Sequence, residues 1–201
     1  LKGAGTVRNC QMASGAGQKA EQSDGGKPSW KVFVDLQCPY AKAAFEKLPS
    51  IRERFAGQFD ITTHITSLAF HPQAFTAHCA AVVVGGVQGA EARSKFEAAC
   101  FEKQASFTNA GVGDARKSEI DAVFADIAEG AGVLGAALSR EDFLEKLHDW
   151  EVAVKPAYAE HKEALGYGVF GTPKHVINGH LVADTESAWG PDEWQTKLES
   201  L

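Results

Sequence analysis

Hydrophobic and polar residues follow different periods in the first third of the chain. Residues 32–34 form an apolar run, which is typical of a strand buried on both faces of a sheet. After Cys38, apolar residues recur at helical spacing over 41–55, and Pro49 predicts a kink or break within that helix. Polar and apolar residues then alternate over 59–67, which predicts a second strand. A strand, a helix and a strand in this order predict a right-handed βαβ unit.

Helical periodicity dominates the middle of the chain, from about residue 73 to residue 165. Two apolar stripes predict the first two helices of this region. Ser118 and Ser139 each precede an acidic residue by three positions, a capping pattern that predicts the start of a third and a fourth helix. We expect the fourth helix to continue past Pro156 and to end near Gly166.

The last part of the chain returns to short apolar runs. Asn178 and Gly179 separate two of them, and this dipeptide is a strong signal for a tight β-hairpin turn. Pro191 is followed by two acidic residues, which predicts the start of a final helix. The whole chain therefore reads as βαβ, a helical block, and ββα.

Composition indicates one globular domain and limits the partners. Of the 201 residues, 44% are apolar and 23% are charged, which is ordinary for a globular protein. The formal net charge of −6 argues against nucleic acid as a partner, because phosphate binding needs a basic surface. No apolar run approaches the length of a membrane span. Residues 14–29 are rich in Gly, Ser, Lys and Gln, so we expect a weakly strand-like segment and linker over 1–29, and one domain over 30–201.

The four cysteines are Cys10, Cys38, Cys79 and Cys100, which are too scattered for a disulfide-stapled scaffold and lack the close pairs of a zinc site. Cys79 and Cys100 lie on apolar helix stripes, so we expect free thiols packed in the core rather than a disulfide. Cys10 precedes the linker, where we expect an exposed thiol, and a role as a distant resolving thiol stays open.

The histidines and glycines do not indicate a metal or a nucleotide. His64, His71 and His78 do not have the spacing of a helical ligand pair. The glycine pair at 85–86 lacks the strand-to-helix context of a nucleotide-binding loop. We therefore expect no metal site and no bound cofactor.

Cys38 is the residue around which the candidate chemistry is organised. It follows the first predicted strand, and Pro39 occupies the first helical position, where proline is favoured. The unpaired N–H groups and the dipole of a helix N-terminus stabilise an anion. We therefore expect the Cys38 thiol to ionise readily, and the thiolate is the reactive form of cysteine.

Two motifs carry a resemblance to a known family. The C-P-Y-x motif at Cys38 and the G-T-P motif that ends at Pro173 resemble the DsbA-like branch of the thioredoxin-fold superfamily, over roughly residues 30–201. The resemblance implies an α/β thioredoxin fold (βαβ + ββα) with a helical insertion at about 73–165 between the two halves. It implies that Cys38 is the nucleophile. It also implies that Thr172 and Pro173, joined by a cis peptide bond, present main chain to the substrate.

Further features follow from the same resemblance. Pro39 and Tyr40 would lie at the surface next to the Cys38 thiol and contact the substrate. The stretch 69–73, together with 77–81, resembles a eukaryotic subgroup of the family of protist or fungal type.

The chain departs from the family pattern at two positions. Ala41 stands where the second, resolving cysteine belongs, by descent or by an introduced substitution. Cys38 therefore cannot close an intramolecular disulfide with that position. Val32 stands where thioredoxin-type proteins often bury an acid, and Asp35 is the nearest acid before Cys38.

We therefore expect a thiol–disulfide oxidoreductase-like enzyme with one reactive cysteine. Its partners would be proteins that carry disulfides or thiols, or glutathione as a co-substrate, and neither nucleic acid nor membrane. Two alternatives stay open: an enzyme similar to the kappa-type glutathione transferases and isomerases, and a non-catalytic peptide-binding module of the same fold. The resemblance implies an extracytoplasmic compartment although no signal pattern is visible, and the oligomeric state is undetermined.

Overall fold

The computed structural model describes residues 26–201 of the chain. These residues form one four-stranded sheet, with strands β1 (Ser29–Val34), β2 (Asp60–Ile65), β3 (Lys174–Ile177) and β4 (His180–Leu181). The α-helices are α1 (Pro39–Phe55), α2 (Ala74–Gln88), α3 (Ala90–Glu102), α4 (Asn109–Val112), α5 (Lys117–Gly130), α6 (Arg140–Lys146), α7 (Lys155–Gly166) and α8 (Pro191–Glu199). A 3₁₀-helix covers Gln104–Phe107, and a π-helix covers Trp150–Val154. The predicted N-terminal strand-like segment and Cys10 lie outside the described residues.

β1 is a central strand of the sheet, whose order is β2-β1-β3-β4. It runs parallel to β2 and antiparallel to β3. Trp30, Val32 and Val34 belong to the main core, and Phe33 packs in a smaller cluster with Val176. Neighbours on both sides and on both faces explain the continuous apolar run and confirm the predicted central strand.

The helical insertion occupies residues 74–166, between β2 and β3. α2 lies at its centre: residues 77–84 are all buried, and the helix contacts α3, the π-helix and α7. Cys79 in α2 and Cys100 in α3 are buried free thiols, as predicted. Burial raises the pKa of Cys79 to about 11, so this thiol is not a competing nucleophile near neutral pH.

α1 is continuous through Pro49. The break that the sequence suggested at this proline is therefore absent. Proline removes one main-chain hydrogen bond from the helix, but Leu48, Ile51 and Phe55 are all buried on the same side of α1. Their packing holds the helix together across the proline.

Capping was predicted correctly for one helix of the insertion and wrongly for another. Ser139 caps α6, and its Oγ accepts the main-chain N–H of Asp142 at 3.1 Å. α5, however, is capped by Arg116 rather than by Ser118. The Glu119 carboxylate accepts the Arg116 N–H at 2.7 Å, so the glutamate and not the serine marks this helix start.

The single helix predicted from Ser139 to Gly166 is two helices with a break between them. α6 ends at Lys146, and a new helical segment begins after Asp149. Asp149 Oδ1 accepts the N–H groups of Glu151 and Val152 at 2.9 and 2.8 Å. An aspartate that satisfies these donors starts a helix, which is why the chain turns here instead of continuing.

The C-terminal half of the sheet agrees with its prediction. β3 and β4 form an antiparallel hairpin, and Asn178 and Gly179 have φ values of 50° and 80°, as a turn of the I′ type requires. α8 begins at Pro191, as predicted. Within residues 26–201 no helix is both long and apolar enough to cross a membrane.

Candidate active site

Cys38 lies at the junction between β1 and α1. It is the N-cap residue of α1, with extended backbone angles (φ −80°, ψ 122°), and Pro39 follows it in the first turn. Its N–H donates to Asp35 O at 3.0 Å, and its carbonyl accepts the Lys42 N–H at 3.1 Å. Only 3% of the surface of Cys38 is exposed. Access of a disulfide to the sulfur is therefore limited by the residues around it.

Thr172 and Pro173 lie beside this cysteine. The peptide bond between them is cis, as predicted. Cys38 Sγ is 3.4 Å from Thr172 O, within the range of a weak S–H···O hydrogen bond. The pairing of β1 with β3 explains the contact, because Phe33 near the end of β1 lies opposite Lys174 at the start of β3.

A shallow groove of about 270 Å³ runs past the cis peptide bond. Its lining includes Tyr40, Thr172 and Pro173. Tyr40 is 67% exposed, and Pro39 is exposed as well. The structure therefore brings all five candidate residues of the sequence analysis to one edge of the sheet. An exposed aromatic ring beside this groove can pack against an extended peptide.

Ala41 and Val32, the two residues at which the sequence departs from the family pattern, are both buried. Ala41 is fully buried in the first turn of α1, three residues after Cys38. Residues three apart on a helix lie on one face, so a cysteine here would lie next to Cys38. Val32 is buried among apolar side chains of the main core and offers no proton acceptor.

Asp35 is a site residue whose environment the sequence could not reveal. Its carboxylate is completely buried. Oδ1 accepts the Gln37 N–H at 2.7 Å, and Oδ2 accepts the Leu68 N–H at 2.8 Å. Oδ2 also lies 2.9 Å from His71 Nδ1. Asp35 thus braces the turn that leads into Cys38 against the segment that follows β2.

Two glutamines attach the same turn to the helical insertion, and sequence reasoning missed both. Gln104 Nε2 donates to Leu36 O at 2.9 Å and to Cys38 O at 3.1 Å. Gln37 Nε2 donates to Gln73 Oε1 and to Asn109 Oδ1, each at 2.9 Å. No local pattern marks these residues, because every partner is distant along the chain.

The histidines considered as metal ligands have separate partners. His64 contacts Thr62 and Glu163, and His78 donates to Glu160 at 2.8 Å. Burial lowers the pKa of His78. Burial alone would raise the pKa of Glu160, but hydrogen bonds from Arg93 and His78 lower it to about 2. Within residues 26–201 no group of three His, Cys, Asp or Glu side chains could hold a metal ion.

No family model matches this chain, and no curated protein sequence matches it. Solved structures do resemble it. A candidate protein-disulfide isomerase from Pseudomonas syringae has a TM-score of 0.68 and 19% identity, over 85% of this chain and 93% of its own. BdbD from Bacillus subtilis has a TM-score of 0.64 and 19% identity, over 89% of each chain. DsbA from Pseudomonas aeruginosa has a TM-score of 0.58 and 21% identity, over 88% of this chain and 83% of its own.

These likenesses and the sheet order establish the fold. The chain has an α/β thioredoxin fold of the DsbA-like type, with the helical insertion between its βαβ and ββα halves. The subgroup of protist or fungal type stays a prediction.

Proposed function

We propose that this protein carries out thiol–disulfide exchange through a single reactive cysteine, Cys38. The observation that carries the proposal is the position of its sulfur. Sγ lies at the N-terminus of a 17-residue helix and 3.4 Å from the carbonyl oxygen of the cis peptide bond, which belongs to Thr172. A helix N-terminus stabilises a thiolate, and main chain next to it can align an extended peptide by strand-like hydrogen bonds.

The exchange step balances without a cofactor. The Cys38 thiolate attacks one sulfur of a disulfide R–S–S–R, a bond forms between Cys38 Sγ and that sulfur, and the other sulfur leaves as a thiolate. The product is a mixed disulfide. Its reduction requires a thiol from outside the described site, because position 41 holds alanine. The partners are therefore disulfide- or thiol-containing proteins, or glutathione.

Mass spectrometry of the intact protein tests this proposal. A Cys10→Ser variant keeps three cysteines, Cys38 at the start of α1 and the buried Cys79 and Cys100 of the helical insertion. Incubated with oxidised glutathione, it should gain one glutathione, and peptide mapping should place that adduct on Cys38. Adding Cys38→Ser should abolish the adduct, whereas adding Cys79→Ala should leave it. An adduct that persists without Cys38, or no adduct at all, would contradict the proposal.

Peptide binding without chemistry is the second candidate function. Ala41 and the 3% exposure of Cys38 favour it. A protein of this kind would bind an extended peptide in the groove at Tyr40 and Pro173 while Cys38 stayed unmodified by oxidised glutathione. Formation of the mixed disulfide excludes this alternative.

A glutathione transferase similar to the kappa type is the third candidate function. It would transfer glutathione to an aryl halide, and Cys38→Ser would not reduce the rate. An extracytoplasmic location remains a prediction from the family resemblance.

A further inference from the structure

We call residues 35–38, which lead into α1, the nucleophile turn. A second cleft lies next to this turn, and we call it the histidine cleft. Its volume is about 410 Å³. The segment after β2, the start of α2, the end of α7 and Phe170 form its walls, and the residues used below are Ser67, His71, Phe75, His161, Leu165 and Phe170. Apolar side chains provide most of the lining. A concave apolar site with a few convergent polar groups is the usual form of a ligand site.

Two imidazole rings supply unused polar atoms to the histidine cleft. His161 Nδ1 accepts the Ser67 N–H at 3.5 Å and lies 2.8 Å from Thr66 Oγ1. Since a main-chain N–H can only donate, we assign the His161 proton to Nε2. His71 Nδ1 carries a proton because its partner, the Asp35 carboxylate, can only accept. Neither Nε2 has a partner within residues 26–201.

A third polar group is buried beside the two rings. The Ser67 hydroxyl has no hydrogen-bond partner among the described residues. A buried polar group without a partner costs free energy, and a ligand or water commonly satisfies it. Thus the segment after β2 contributes a hydroxyl and one ring, and α7 contributes the other ring.

No charged side chain lines the histidine cleft to repel an anion. The acidic residues of α7 nearest to His161 are already paired. Glu160 binds Arg93, and Glu163 binds Lys31 at 2.7 Å. The buried Asp35 carboxylate lies behind His71.

The histidine cleft is close to the reactive sulfur. Phe170 precedes Thr172 by two residues, which span at most about 7 Å. Thr172 O is 3.4 Å from Cys38 Sγ, so the cleft edge lies on the order of 10 Å from the sulfur. In glutathione the sulfur belongs to the middle residue, and the γ-glutamyl carboxylate lies about eight bonds from it, which is roughly 10 Å when extended. One molecule can therefore present its sulfur to Cys38 and this carboxylate to the histidine cleft.

We infer that the histidine cleft binds a carboxylate of the substrate, so that the preferred disulfides carry a carboxylate close to their sulfur. The inference rests on the proposed exchange at Cys38. The His161 Nε2–H and the Ser67 hydroxyl donate to the carboxylate, while the apolar walls at Phe75 and Leu165 receive the adjoining methylene groups. Oxidised glutathione and a peptide disulfide with a neighbouring glutamate both have this chemistry.

Relative rates of mixed-disulfide formation test the inference. The Cys10→Ser protein is mixed with oxidised glutathione or with the uncharged bis(2-hydroxyethyl) disulfide, and the adduct at Cys38 is followed by mass spectrometry. His161→Asn can keep an acceptor near the Nδ1 position but has no donor at the Nε2 position, so it should lower the ratio of the two rates about tenfold. His180→Asn is the matched control, since His180 is exposed on β4 outside the cleft, and it should leave the ratio unchanged. A ratio that is equal in all three proteins overturns the inference.

Two further measurements separate the remaining cases. The first compares the rates of adduct formation with peptide disulfides that carry glutamate or glutamine next to the cysteine, and it shows whether a carboxylate on a peptide is also preferred. If neither oxidised glutathione nor the glutamate peptide reacts faster than its neutral counterpart, the inference fails. Binding of S-methylglutathione to Cys38→Ser needs no exchange and no cleft variant. The affinity for S-methylglutathione should exceed the affinity for its diethyl ester about tenfold, even if the exchange proposal fails. Equal affinities for the two compounds overturn the carboxylate inference but leave the exchange proposal intact.

Discussion

Cys38 and Ala41 together decide what this site can do by itself. Cys38 lies at the helix N-terminus, and Ala41 lies one turn further on the same helix, fully buried. In the proposed exchange the sulfur therefore begins the reaction, but the residue at position 41 cannot complete it. A stable mixed disulfide is the expected end point in the absence of an external thiol.

Ala41→Cys should convert the site into a dithiol. We expect a disulfide between residues 38 and 41 after mild oxidation, and oxidised glutathione should no longer leave a lasting adduct, because the new thiol displaces it. The larger side chain at a fully buried position should cost about 1 kcal/mol of unfolding free energy. Alkylation of free thiols followed by peptide mapping measures the disulfide, and urea denaturation measures the cost.

Ala44→Cys provides the matched control. Ala44 is also buried in α1, but it lies six residues from Cys38, too far along the helix for a disulfide. This variant should keep the stable glutathione adduct. A glutathione adduct that is equally stable in Ala41→Cys and Ala44→Cys would contradict the expected geometry.

At the scale of elements, the helical insertion positions the nucleophile turn. The 3₁₀-helix Gln104–Phe107 places the buried Gln104 amide against the carbonyls of Leu36 and Cys38. Gln73 and Asn109 bind the Gln37 side chain from two other parts of the insertion. A turn held from both the sheet and the insertion keeps Cys38 in one orientation relative to Thr172.

Gln104→Ala should therefore affect both stability and reactivity. It leaves two buried carbonyl groups without their side-chain donor, so we expect a loss of about 2 kcal/mol in the free energy of unfolding. The rate of adduct formation at Cys38 should change as the turn loosens. Gln195→Ala removes an exposed glutamine of α8 and should change stability by less than about 0.5 kcal/mol. Equal effects of the two variants in urea denaturation would count against this role of the insertion.

At the scale of the whole molecule, a buried aromatic cluster joins the sheet to the C-terminal helix. Trp30 in β1 and Trp194 in α8 have ring centroids 4.7 Å apart. His175 in β3 packs 4.3 Å from Trp194, and its Nδ1 accepts the Trp30 Nε1–H at 3.0 Å. Burial, reinforced by the charge of Lys174, lowers the pKa of His175 from 6.5 to about 3. This histidine is neutral in the folded protein.

The His175 pKa predicts a loss of stability in weak acid. Between pH 6.5 and pH 3 the unfolded chain protonates this ring and the folded protein does not, so stability is full above 6.5 and falls as the pH decreases. At pH 5 the loss from this group should be about 2 kcal/mol. The fall in unfolding free energy between about pH 7.5 and pH 5 contains this loss together with that of His78, whose pKa burial also lowers. The difference in this fall between the parent protein and His175→Gln therefore measures the contribution of His175.

His175→Gln should flatten this pH dependence, because glutamine can accept the Trp30 hydrogen bond but does not titrate. His180→Gln, at an exposed position, should keep the dependence of the parent protein. Identical slopes in the two variants would show that another group causes the acid sensitivity.

Local signals in the sequence determined most of the architecture. The apolar run of β1, the cysteine followed by Pro39, the Asn178-Gly179 turn and the proline before the hairpin each depend on neighbouring residues alone. For that reason the order of the strands and helices along the chain and the helix start at Cys38 could be predicted, whereas the cis peptide bond at Pro173 was implied by the resemblance to the DsbA-like branch. The first residues of helices were harder to predict, because Glu119 and Asp149 cap helix N-termini in places where nearby residues have similar capping strength.

Only the tertiary structure decided how the nucleophile is surrounded. Asp35 meets His71 across 36 positions, and Gln104 meets Cys38 across 66. The histidine cleft likewise combines His71, from the segment after β2, with His161 from α7. Hydrogen bonds of this kind depend on how the insertion packs on the sheet, and no periodicity or short motif records that packing. The sequence therefore identified the candidate nucleophile, whereas the folded chain determined which groups hold it in place.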